Sequence, residues 1–74
     1  MATQATVNRM QQALDLCWIE GFRINLSMGC MPLDEDEVAR VRAMRTTASI
    51  SGKAALSELI AANDVLLEEI GRGE

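Results

Sequence analysis

The sequence predicts a mainly α domain with one short strand, in the order helix, strand, helix, helix, that completes its core as an intertwined homodimer. Three observations carry this expectation. Apolar residues recur at helical spacing through three segments. Residues 22–28, Phe-Arg-Ile-Asn-Leu-Ser-Met, instead alternate strictly between apolar and polar, the two-residue period of a strand with one buried face. A chain of 74 residues also buries only about 60% of its unfolded surface, so an isolated core is thin and association is the expected remedy.

The first helix is expected over about residues 6–20. Val7, Met10, Leu14, Cys17 and Trp18 recur at helical spacing, while Asn8, Arg9, Gln11, Gln12, Asp15 and Glu20 mostly fill the other face, as in an amphipathic helix. Gly21 is its expected stop, because glycine enters the left-handed backbone region without steric cost. The strand follows over residues 22–28 and Gly29 ends it. A lone strand leaves its N–H and C=O groups unpaired. The chain has no second alternating run, so the expected partner is the same strand of a second copy, with Phe22, Ile24, Leu26 and Met28 on the buried face of the ribbon.

The next helix is expected over about residues 34–48. Asp34 is placed to cap it, Glu37 to complete a capping box, and Leu33 with Val38 to form a hydrophobic staple. The four carboxylates Asp34, Glu35, Asp36 and Glu37 suit the positive end of the helix dipole. As a calcium loop the same run lacks alternating oxygen ligands and a central glycine. Val38, Val41 and Met44 form the apolar stripe. Thr46, Thr47, Ser49, Ser51 and Gly52 then make a helix-poor cluster, and a turn is expected between Ala48 and Lys53. The last helix is expected over about residues 53–70, with Leu56, Leu59, Asn63, Leu66 and Ile70 at three-four spacing. Asn63 inside that stripe is a polar residue of the kind that fixes register in a helical pair.

Composition narrows the function. The apolar fraction of 49% is that of a folded protein, but aromatics make up only 3%, Trp18 and Phe22, so the core is aliphatic. Histidine and tyrosine are absent, and no glycine-rich phosphate loop or metal-ligand spacing occurs. No enzymatic activity, metal or cofactor is expected. Cys17 and Cys30 have no Cys-x-x-Cys spacing, and with no secretory signal the expected compartment is the reducing cytoplasm. The longest uncharged stretch, residues 24–33, is interrupted by Gly29 and Pro32, too short to span a bilayer. Of the net charge of −4, most lies in residues 58–74, where Arg72 stands against Glu58, Asp64, Glu68, Glu69 and Glu74.

The order strand, helix, turn, helix over residues 22–70 resembles the ribbon–helix–helix family of dimeric DNA-binding regulators, with a helix added in front. Ser57-Glu58-Leu59-Ile60 is similar to the family's second helix. The resemblance implies that the ribbon's polar side chains, Arg23, Asn25 and Ser27, enter the major groove, while Ile24 and Leu26 floor the core. Lys53, with the backbone N–H groups after Ser51 and Gly52, is a candidate phosphate contact at a helix N-terminus. The ribbon carries one positive charge, Arg23, whereas DNA affinity rests largely on neutralising phosphates. The leading expectation is therefore a small cytoplasmic, non-enzymatic homodimer that binds and inhibits a protein partner. A transcription regulator is the expected target, in the manner of anti-activators and inhibitors carried by phages or mobile elements. The contact residues are expected on the front helix and its end, Trp18 and Phe22, or on the acidic last helix, Glu58, Glu68 and Glu69. The alternative is a sequence-specific DNA-binding ribbon–helix–helix repressor or antitoxin.

Overall fold

The computed structural model describes residues 3–24 and 32–72. They form three helices, α1 (Gln4–Ile19), α2 (Glu35–Thr47) and α3 (Ile50–Arg72). The long α3 is the spine. α1 and α2 both pack against it, and among the described residues they make no close backbone approach to each other. The buried α3 residues Ala55, Leu56, Leu59, Ile60, Ala62 and Leu66 form a broad stripe at helical spacing. Met10, Ala13 and Cys17 of α1 meet that stripe, Val41 comes from α2, and Leu33 enters just before α2.

No strand is present among the described residues, which overturns the expected helix–strand–helix–helix order and the ribbon–helix–helix-like intertwined homodimer built on it. The physical reason lies at the end of α1. Gly21 takes φ +93°, its N–H donates to the Trp18 carbonyl at 2.9 Å, and the Phe22 N–H donates to the Cys17 carbonyl at 2.8 Å. These two bonds are a Schellman closure. The closure commits the Phe22 N–H to the helix rather than to a ladder. Beyond it, Phe22 and Ile24 are half-buried against the chain's own core while Arg23 is exposed. The alternation of these residues therefore reports which side faces the core. It does not report a sheet, because burial alternates along any extended segment laid on a surface. Asn25, Leu26, Ser27 and Met28 of the expected ribbon, with Cys30, lie outside the described residues.

Phe22 finds its seat because residue 52 has no side chain. A Cβ at Gly52 would lie 3.1 Å from the Phe22 ring and 3.1 Å from the Ala48 Cβ, so glycine here is a packing requirement rather than a helix break. The helix-poor cluster does end α2, where the Thr46 hydroxyl donates back to the Ala43 carbonyl at 2.7 Å. Yet the turn is confined to Ala48 and Ser49. Ser49 starts α3 at Ile50 rather than near Lys53, its hydroxyl accepting from the Gly52 N–H at 3.2 Å and its carbonyl from the Lys53 N–H at 2.7 Å. At the other start, Asp34 accepts from the Glu37 N–H at 2.7 Å, an N-cap as expected. The Glu37 carboxylate turns to Arg40 at 3.1 Å.

Asn63 has a role different from the expected one. It is buried in the α3 stripe and its side-chain oxygen accepts from the Leu33 N–H at 2.9 Å. A polar side chain at that position fixes the chain entering α2, not a second helix in register. Among the described residues every buried side-chain nitrogen and oxygen has a hydrogen-bond partner, consistent with the cost of leaving one unpaired.

Candidate protein-binding surface

The functional candidates sort by which flank of α1 they occupy. Cys17 faces α3 and is fully buried, and its thiol is pushed up to about 11 by that burial. Trp18, a hundred degrees around the helix, points away from the core and is 63% exposed. The Arg23 guanidinium lies over its ring, 5.3 Å from the centroid, within cation–π range. The two aromatics thus part company: Phe22 folds inward onto Gly52, and Trp18 stays on the surface.

The acidic residues of α3 part company as well. Glu58 receives a two-pronged bond from Arg9, at 2.6 and 3.0 Å. The Arg9 hydrogen bond and charge hold the Glu58 carboxyl below its ordinary range, and the Glu58 hydrogen bond and charge in turn raise the guanidinium. Glu69 caps α1 from across the molecule, accepting from the Thr3 N–H at 2.8 Å and the Thr6 hydroxyl at 2.6 Å, where a negative charge suits the helix dipole. Both carboxylates are engaged in holding α1 to α3. Glu68 is exposed.

Of the residues assigned to the DNA alternative, Arg23 rests on Trp18 and its carbonyl accepts from Arg40 at 3.4 Å. Lys53 is exposed in the first turn of α3. The N–H groups of Gly52 and Lys53 both donate to Ser49, so they are not turned outward as a phosphate cradle. Asn25 and Ser27 lie outside the described residues. Among the described residues, the structure joins a member of each assigned set, with Arg23 over Trp18.

Three residues that the sequence reading passed over are prominent in the structure. Leu16 is 48% exposed, Ile19 74% and Ile50 90%. Leu16 and Ile19 are three apart on α1; Leu16 stands nearly opposite Trp18 around the helix and Ile19 lies between them on the outward side. Leu16 also lines an open groove of about 250 Å³ between the end of α1 and the start of α3, with Glu20, Ser51, Ala54 and Ala55. The Ser51 hydroxyl donates to Glu20 at 2.9 Å across it. A signal was available for the α1 pair, since Leu16 and Ile19 are apolar residues off the Met10, Leu14, Cys17 spacing. A second groove of about 260 Å³ runs between α2 and α3, lined among others by Leu33, Val38, Asn63 and Leu67, with Arg42 and Asp64.

Among the described residues no group of three or more His, Cys, Asp or Glu gathers where a metal ion could bind. Among the described residues no helix is long and apolar enough to cross a membrane. Comparison of the chain with protein-family models, with curated proteins and with solved structures finds no match in any of the three.

Proposed function

We propose that this chain is a small non-enzymatic regulator that binds another protein and inhibits it, with Trp18 as the anchor of the contact. The observation that carries this reading is the exposed Trp18 ring beside Arg23. Tryptophan and arginine are the residue types most enriched at the energetic centres of protein interfaces. The Schellman closure at Gly21 and the seat of Phe22 on Gly52 fix the backbone between Trp18 and Arg23. A pair held this way loses little freedom on binding.

The charge supports a basic partner. Net charge is −4, and Asp15, Asp64 and Glu68 are exposed on α1 and α3, which steers encounter with a positively charged surface. A DNA-binding regulator presents such a surface, and occupying it would block its DNA.

The test is affinity capture from the native cells, comparing the wild-type chain with Trp18→Ala. The expected result is one protein retained by the wild type, retained at least about tenfold less by the variant, and inhibited when the purified chain is added. Equal retention by both chains, or capture of nucleic acid alone, would overturn the reading.

A further inference from the structure

The flank of α1 opposite Trp18 carries a second, independent surface. Ile50 is the first residue of α3 and stands 90% exposed. One turn later on the same face is Ala54, which lines the groove shared with Leu16, Glu20, Ser51 and Ala55. A projecting aliphatic side chain and an apolar groove thus lie side by side on one face. The groove's volume of about 250 Å³ exceeds the roughly 150 Å³ that admits a benzene ring. Ile50 does not fill the groove of its own chain, as its exposure shows.

We infer that this face binds a second copy of the chain about a two-fold axis, each Ile50 entering the Leu16–Ala54–Ala55 groove of the other. A two-fold interface requires a self-complementary patch, in which each surface holds both the projection and its recess. The charges at its edges are complementary in the same sense. Lys53 stands in the first turn of α3 on the far side of Ile50 from the groove, and Glu20 stands on the rim of the groove. Rotation about an axis between Ile50 and the groove carries Lys53 of one copy over the end of α1 of the other. There it meets Glu20, with Asp15 the other exposed carboxylate nearby in sequence. Arg23, at the end of α1, lies over Trp18 and is not part of this edge. Ile19 covers the outer margin of the contact, and Trp18 remains free for a different partner.

Sedimentation of the full chain at micromolar concentration tests this. The expected result is a dimer for the wild type and a monomer for Ile50→Glu. Because residue 50 is exposed and opens α3, a carboxylate there suits the helix dipole, so helix content by circular dichroism is expected to be unchanged. Trp18→Ala is expected to leave the dimer intact, which separates this inference from the anchor assigned to Trp18. The register has its own test. Lys53→Glu alone and Glu20→Lys alone each place like charges opposite one another, whereas a mixture of the two variants restores both attractions. The mixture is expected to associate roughly tenfold more tightly than either variant alone. A wild-type monomer, a dimer that survives Ile50→Glu, or a mixture with no preference for the heterodimer would each overturn the inference.

Discussion

α1 and α2 rest on the same helix, and they are held there in opposite ways. α1 contributes Thr6, Met10, Ala13 and Cys17 as buried residues, whereas α2 contributes only Val41. Polar ties follow the same division. α1 and the residues flanking it are joined to α3 by Glu69 at their start, by Arg9 and Glu58 along the seam, and by Glu20 and Ser51 at their end. The α2 seam is bridged by a long contact from Arg45 to Ser57 at 3.4 Å. What holds α2 instead is its entrance, where Asn63 binds the Leu33 backbone and Leu33 itself is buried. α1 is thus secured along its length and α2 by its leading end, so α2 is expected to open first when the fold loosens.

The largest expected effect comes from the α1 core. Met10→Ala removes a fully buried side chain and is expected to cost about 3 kcal/mol in urea unfolding, with loss of the whole fold because α1 covers most of the α3 stripe. A cost below about 1 kcal/mol would mean that α1 contributes far less than its burial implies. Asn63→Ala is expected to cost about 2 kcal/mol, since it leaves the buried Leu33 N–H without its acceptor. Amide exchange is expected to speed up in α2 before α1, and equal acceleration in the two helices would dissolve the contrast.

Cys17 reports on the α1 side in a different way. Its thiol is buried and pushed up to about 11, so almost none is thiolate at neutral pH. Peptide mapping after alkylation is expected to find Cys17 unmodified until the denaturant concentration that releases α1, later than the exchange of α2. The smallest effect belongs to the exposed Arg9–Glu58 pair, whose side chains are 42% and 38% exposed. Arg9 holds the Glu58 carboxyl below its ordinary value of 4.5. A depressed carboxylate stabilises the fold above its unfolded value and loses that contribution as pH falls through the folded one. Glu58→Gln is therefore expected to flatten the acid limb of the stability curve below about pH 4.5 and to reduce its salt dependence.

How a residue reads in sequence depended on whether its signal was local. The Asp34 cap and the Gly21 stop were legible, because each concerns hydrogen bonds within a few residues of itself. The expected strand fails over its described part, residues 22–24, because its cover is not a second strand. Alternation identified the side on which Phe22 and Ile24 are buried, but a helix of the same chain provides that cover, and sequence periodicity does not distinguish a helix from a sheet as the covering surface. Gly52 misled for a related reason. It reads as a breaker, and it is the recess that accepts Phe22 thirty residues earlier in the chain.

The candidate surface divides along the same line. Trp18 was identifiable as a contact residue by type, and the structure added that it faces outward with Arg23 over its ring. Glu58 and Glu69 were assigned to a partner from the excess of acid in residues 58–74, yet they meet Arg9 and the start of α1. Ile50 was missed because its exposure follows from Ser49 starting α3 early.

From its own order of residues the chain determines three helical segments, the Asp34 cap, the stop at Gly21 and an aliphatic stripe on the last helix, because these depend on spacing and on bonds closed within one or two turns. Tertiary structure alone decided that α3 is shared between two neighbours, that Asn63 serves the Leu33 backbone and that two of the acidic residues are bound internally. Those outcomes depend on which surfaces meet across dozens of residues, where the energies of competing pairings differ little and only the packed whole selects among them.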